Sequence, residues 1–138
     1  MRYLLLICTD ESADAAMSPE EGQARMGEYM AFGQEMTERG VLTGGERLRP
    51  TTDATTVQVR DGEVLTADGP FAETKEQIGG FYAVDCADLD EAIKQAARLP
   101  MAPWATIEVR PVMPADEWLR TARDAGVELP DEAVDDLR

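Results

Sequence analysis

Arg2-Tyr3-Leu4-Leu5-Leu6-Ile7-Cys8-Thr9 is the stretch on which the architecture turns. Its apolar run, Tyr3 to Cys8, is closed at once by Asp10 and Glu11, too short for a packed helix and without polar alternation. That is the pattern of a strand buried on both faces. A second run, Gly80-Phe81-Tyr82-Ala83-Val84-Asp85, has the same character. These two are the expected centre of a sheet, and the rest of the chain is read outward from them.

Ser18-Pro19-Glu20-Glu21 is a helix start: Ser18 caps, Pro19 suits the first helical position and Glu21 closes a capping box. Met26, Tyr29, Met30, Gly33 and Met36 then recur at helical spacing as the expected inner stripe. Arg25, Glu28, Gln34, Glu35 and Glu38 fill the expected outer face, and Gly40 stops the helix. Val41 to Leu48 reads as a strand weakened by Gly44 and Gly45. Thr55 to Arg60 and Glu63 to Thr66 form a hairpin about Asp61-Gly62. Asp68 to Gln77 breaks every period and reads as a loop with room for one helical turn. Asp88 with Glu91 starts a second helix, its apolar side drawn from Leu89, Ala92, Ile93, Ala96 and Ala97, and Ala105 to Val109 is the last core strand. The order is β-α-β, hairpin, β-α-β: an α+β chain of the ferredoxin-like βαββαβ kind carrying an inserted hairpin. Residues 1–113 make up that domain. Residues 114–138 are a C-terminal helical extension, with Trp118, Leu119, Ala122 and Ala125 on one side of a helix stopped by Gly126, and a further short helix expected over 130–137.

The charge balance narrows the class of partner. Against 13 basic residues stand 28 acidic ones, a formal net charge of −15. Such a field repels phosphate backbones and anionic lipid, so neither nucleic acid nor a membrane surface is an expected partner. The acids are spread along the chain as a solvated surface. The first apolar run is too short for a signal segment, and the cytoplasm is the expected compartment. Cys8 and Cys86 fall at opposite ends of antiparallel strands, beyond disulfide reach, and read as small hydrophobes.

Two helices cover only one face of a four-stranded sheet. Because residues 3–8 and 81–84 are apolar on both sides, the second face needs a cover, and a second copy of the same sheet in an isologous contact is the simplest one. The alternative is that the helix bearing Trp118 folds back over it. The expectation is a homodimer packed sheet to sheet.

The chain has no histidine. That excludes Ser-His-Asp and Cys-His catalysis and imidazole metal sites, and no glycine-rich phosphate cradle is present. Acid–base work falls to carboxylates, Lys75, tyrosines or arginines. The most unusual segment is Asp68-Gly69-Pro70-Phe71-Ala72-Glu73-Thr74-Lys75-Glu76. A carboxylate beside an apolar ring can serve as general acid or base, which makes Asp68 the candidate catalytic residue and Phe71 an apolar wall. Lys75, Arg47 or another arginine would position an anionic group, with Glu46 and Glu73 as further contacts. The competing reading is structural, an Asx turn with a buried anchor. Glu46, Asp68 and Glu73 together are the one oxygen-rich set in view for Mg²⁺ or Ca²⁺, but they come from separate segments, and neither metal nor cofactor is assigned.

The same segment, with Gly79-Gly80-Phe81-Tyr82 after it, resembles the signature of YCII-related proteins of the DGPF type. Arg2-Tyr3-Leu4-Leu5-Leu6, Gly45-Glu46 with Leu48 and Pro50, Asp88-Leu89-Asp90-Glu91-Ala92 and Glu108-Val109-Arg110-Pro111-Val112 match that pattern too. The resemblance covers about residues 1–113 and implies a ferredoxin-like fold and a dimeric α/β barrel. Relatives in the wider group include a dehydrochlorinase acting on chlorinated hydroxyquinols, and the resemblance implies for that group a His-Asp pair in the cleft. This chain has no histidine and carries Leu99 before Pro100 where that group tends to have Asp, so the pair is not carried over. The resemblance also links such proteins to extracytoplasmic-function sigma factors.

Whether the chain is an enzyme is left open by its residues. The first expectation is a dimeric domain with a small-molecule cleft beside Asp68–Glu76. The alternative is a non-catalytic regulatory or interaction protein that uses its acidic surface or residues 114–138 to contact a basic partner such as a sigma factor.

Overall fold

Helix caps, glycines and one tight turn set the chain path in the computed structural model, which describes residues 1–128 and 130. Strand β1 (Arg2–Thr9) leads into a short helix α1 (Glu11–Ala15), not anticipated from the sequence, and the long helix α2 (Pro19–Glu38). The Ser18 hydroxyl accepts from the Glu21 N–H at 3.2 Å while the Glu21 carboxylate accepts from the Ser18 N–H, so the capping box is formed. Gly40, at φ 70°, ends the helix as the Val41 N–H donates to the Met36 carbonyl. Strand β2 (Leu42–Arg47), a 3₁₀ turn at Thr51–Asp53 and the hairpin β3 (Thr55–Arg60) and β4 (Glu63–Asp68) follow. Asp61 and Gly62, at φ 52° and 75°, make the hairpin turn. Strand β5 (Gln77–Asp85), helix α3 (Leu89–Arg98), strand β6 (Thr106–Pro111) and helix α4 (Ala115–Asp124) complete the described chain. The expected helix over 130–137 lies, but for Pro130, outside the described residues.

The main sheet is antiparallel with strand order β2-β5-β1-β6, and β3-β4 form a separate two-stranded sheet. This is the ferredoxin-like α+β arrangement with its hairpin insertion. The register opposes Leu5 to Tyr82 and Val109, and Leu6 to Phe81 and Glu108. Alternation along the strands therefore gives two faces. Tyr3, Leu5 and Ile7 of β1, with Val84 of β5, are buried beneath the helices together with Met36, Val41, Ala92, Ala96, Leu99 and Met101. Leu4, Leu6, Cys8, Ile78, Phe81 and Ala83 lie on the other face, which neither α2 nor α3 covers.

Helix phase corrects the sequence reading on each of three helices. On α2 the face toward the core carries Tyr29, Phe32 and Met36, spaced three and four residues apart; Met26 and Met30, off to one side, are 41% and 69% exposed. Continuing the same spacing one turn back reaches Arg25, which is half-buried and not on the outer face. On α3 the buried side is Ala92, Gln95 and Ala96, while Leu89 and Ile93 are each 50% exposed. On α4 Leu119 is buried and Trp118 is 44% exposed. The β2–β5 register is irregular between Leu42 and Gly44, and Gly45 has a packing role of its own. A Cβ on Gly45 would sit 2.8 Å from the Phe81 carbonyl oxygen, so the bare backbone is what lets β2 and β5 approach.

Both cysteines are free. Cys8 pairs with Ile78 and Thr106 at one end of the sheet, and the Cys86 N–H donates to the Met1 carbonyl at the other. Burial, with nearby carboxylates second, pushes both thiols up, which keeps them protonated at neutral pH. Among the described residues no helix is long and apolar enough to cross a membrane.

Candidate functional site

The end of the sheet where β1 stops gathers several charged, hydroxyl and aromatic side chains, beginning with Asp10. Its carboxylate accepts from the Ser12 N–H at 3.0 Å and from the Ser12 hydroxyl at 2.6 Å, capping α1. Those hydrogen bonds, the hydroxyl's first, hold the carboxyl below the usual range, and the nearby Lys75 ammonium adds to the effect. The next residue, Glu11, reaches across to Thr51 and accepts from its N–H at 2.9 Å and its hydroxyl at 2.6 Å. Thr51 opens the 3₁₀ turn whose far side, Ala54, accepts from the Gly69 N–H at 2.7 Å. The Thr56 hydroxyl donates to the Gly69 carbonyl at 2.8 Å. Gly69, at φ 95°, has a backbone only glycine adopts readily, and here it turns the chain out of β4. The base of the hairpin is thus tied to α1.

The loop after Gly69 holds its own shape. The Gln77 side chain donates to the Ala72 and Thr74 carbonyls at 2.8 and 3.1 Å. Because Gln77 is the strand partner of Thr9, the loop is delivered to the end of β1. No helical turn forms in it.

On the helix side of this end, Thr9, Asp10, Ala13, Asp14, Arg25 and Trp104 line a hollow of about 100 Å³. The Arg25 guanidinium carbon lies 3.9 Å from the centroid of the Trp104 ring. Trp104 is set by the turn after α3, where its N–H donates to the carbonyl of buried Met101 at 3.0 Å. One turn along α2 from Arg25 stands Tyr29. Burial pushes its hydroxyl up, while the Arg25 and Arg47 charges pull the other way. Tyr82, which meets Phe32 edge-on at 6.2 Å between centroids, is also pushed up by burial. Both phenols are neutral hydrogen-bond donors at physiological pH.

The six residues expected to form a site are not brought together within one chain. Glu46 and Arg47 are neighbours on β2 and therefore face opposite ways. Glu46 stands opposite Phe81 on the uncovered face, and Arg47 opposite Gly80 on the helix side. Lys75 is near enough for its charge to help lower the Asp10 carboxyl, but the two form no ion pair among the described residues. Asp68 ends β4 opposite Thr55, exposed, and its carboxylate makes no hydrogen bond among the described residues. Phe71 is 80% exposed and Glu73 is exposed. Glu46, Asp68 and Glu73 do not converge, and among the described residues no group of three potential metal ligands does.

Arg25, Trp104 and Asp14 were missed by sequence reasoning. The signal for Arg25 was its place in the 25-29-32-36 spacing, overridden by the habit of assigning a charge to the outer face. No local pattern marks Trp104 as its partner, because the two meet only through the fold. A larger hollow, about 580 Å³, lies at the opposite end of the sheet, walled by Arg2, Asp85, Val112, Met113 and Trp118. Arg2 and Asp85 belong to the uncovered face, so α4 flanks one end of that face.

Comparison with known proteins fits this architecture. The family model for the YCII-related domain matches residues 1–116. This chain belongs to the YCII-related family. The matched span takes in every strand of both sheets and ends in the first turn of α4. An uncharacterised protein of Rhizobium meliloti (strain 1021) is 46% identical over 114 residues, covering 81% of this chain and 92% of the relative.

Proposed function

We propose that this YCII-related domain works as a homodimer joined through the uncovered sheet face, and that it binds a small molecule at the sheet end reached by the Asp68–Glu76 loop. The single observation that carries the reading is the composition of that face. Leu4, Leu6, Phe81 and Ala83 fill its centre, Glu46 and Glu108 flank one row and Arg110 stands in the next. From strand spacing and rise, such a face spans about 20 Å by about 25 Å, an area per copy that reaches the lower range of specific interfaces. In a two-fold contact the acidic row of one copy can meet the basic row of the other, which makes the face self-complementary in charge.

The second copy also bears on the loop. Phe71 and Asp68 are exposed in one chain, and the hairpin that carries them is a lone two-stranded ribbon with Val57, Val59 and Val64 each more than half exposed. A ribbon of that kind is marginal by itself and calls for a packing partner. Within a dimer, Asp68 serves as a carboxylate acid or base with its lone pairs unspent, beside the apolar ring of Phe71.

Light scattering tests the assembly. The wild-type chain is expected to show the mass of two chains at micromolar concentration, and Leu6→Glu the mass of one with its helical circular dichroism retained. A wild-type mass of one chain rejects the dimer. For the cleft, Asp68→Asn is expected to remove the thermal stabilisation given by small carboxylates and amines while leaving the unliganded melting temperature in place. A lowered melting temperature with stabilisation intact assigns Asp68 a structural role instead.

A further inference from the structure

We propose that the hollow between Arg25 and Asp14 is a receptor for a small zwitterion, a free amino acid or a close analogue, with Arg25 taking the carboxylate and Asp14 the ammonium. The inference rests on reading this sheet end as a ligand cleft, and it names the ligand's chemistry.

Arg25 is the anchor. Its position on the inner side of α2, in line with Tyr29, Phe32 and Met36, is one that normally holds a packing residue. Its guanidinium lies against the Trp104 ring at 3.9 Å, so one face of the fork is fixed. Arg39, Arg49 and Arg98 all have carboxylate partners, whereas Arg25 makes no hydrogen bond or ion pair among the described residues. A half-buried guanidinium lying over an aromatic ring with its N–H edge unspent suits a bidentate oxyanion.

The hollow's other walls argue against a simple anion. Asp10 is committed to Ser12, and the Lys75 charge acts on it too. Asp14 is not. It lines the same hollow, its carboxylate makes no hydrogen bond among the described residues, and no ion pair joins it to Arg25. Two opposite charges on the wall of one small hollow, the exposed Asp14 and the half-buried Arg25, with no ion pair between them, match a molecule that carries both. The volume of about 100 Å³ equals roughly three waters at liquid density, the scale of an amino-acid carboxylate and ammonium with a small side chain. That is smaller than the roughly 300 Å³ or more of sites that enclose nucleotides and drug-sized ligands. Thr9 also lines the hollow.

Isothermal titration of the full-length protein with glycine, acetate, methylammonium and inorganic phosphate tests the assignment. Glycine is expected to bind saturably, with acetate and methylammonium weaker by about tenfold or more, each lacking one charge-assisted contact. Arg25→Gln is expected to abolish glycine binding. Asp14→Asn is expected to bring glycine and acetate to equal affinity. Thermal melts of both variants check that the fold is kept, and light scattering on the same samples keeps the dimer reading separate. Acetate or phosphate binding the wild type as tightly as glycine overturns the zwitterion, as does a silent glycine titration or an Arg25→Gln variant that still binds. Should glycine be silent while Asp68→Asn still removes stabilisation by another small molecule, the ligand assignment falls and the cleft stands.

Discussion

The two faces of the main sheet are made from alternate residues of the same strands, yet they have different fates. Tyr3, Leu5 and Ile7 disappear under α2 and α3, whereas Leu4, Leu6 and Cys8 stay partly open. Apolar composition is nearly equal on the two sides of β1, so strand hydrophobicity alone does not decide burial. What decides it is where the helices are attached. Both crossovers of a βαββαβ chain place their helices on one side, and nothing in the repeat supplies a second layer. The open face is then an interface in search of its other half, flanked at one end by α4.

The largest expected effect separates the faces directly. Leu5, 1% exposed, lies at the centre of the covered side, and Leu5→Ala is expected to cost about 3 kcal/mol in chemical denaturation. Leu4→Ala, one residue away on the other side, is expected to cost about 1 kcal/mol in dilute protein and more as concentration rises toward dimer. Equal and concentration-independent costs would remove the asymmetry on which the assembly rests.

A smaller effect sharpens the comparison along β5. A Cβ on Gly80, on the covered side, would lie 2.7 Å from the Glu46 carbonyl oxygen, a backbone atom that cannot rotate away. Gly80→Ala is expected to cost about 2 kcal/mol by prising β2 from β5. Gly79→Ala is the control. Its Cβ would meet only the Thr9 hydroxyl at 3.5 Å, an ordinary contact, and its melting temperature should stay near wild type.

How far the sequence could be read follows from the same division. The strand runs, the Ser18–Glu21 and Asp88–Glu91 caps, the Gly40 stop and the Asp61-Gly62 turn are local signals, and each appears where it was expected. The family assignment rests on equally local residues. The inner faces of the helices were read less well, because apolar residues at helical spacing form a band wider than the strip a sheet covers. Met26, Met30, Leu89 and Ile93 sit on the margins of that band and end up exposed. The candidate site was legible only in part. The Asp68–Glu76 loop does reach the end of β1, but a loop's destination depends on where its ends are anchored, here through Thr51, Ala54 and Gln77. Glu46 and Arg47 looked like one site because they are adjacent, and strand alternation sends them to opposite faces. Arg25 and Trp104 are joined by no local rule.

The smallest effect lies above the covered face, where α2 and α3 are linked by Arg98 donating to Glu35 at 2.7 Å, with Arg39 nearby at 3.6 Å. The hydrogen bond from Arg98 first, and its charge second, hold the Glu35 carboxyl below the usual range. The sign follows from linkage. A carboxyl whose folded pKa lies below its unfolded value stabilises the fold at pH above the unfolded value, about 4.3 for Glu, and that stabilisation is lost as pH falls through the folded value. Both partners are exposed, so the contribution at neutral pH is modest and weakened by salt. Arg98→Gln is therefore expected to lower the melting temperature slightly at pH 7 and to reduce the steepness of the decline below about pH 4. Thermal melts across that range at low salt read both changes. If the variant matches wild type at pH 7 and declines in parallel with it in acid, the bridge contributes nothing to holding the helices together, and packing through Met36, Ala92 and Ala96 alone keeps them on their side of the sheet.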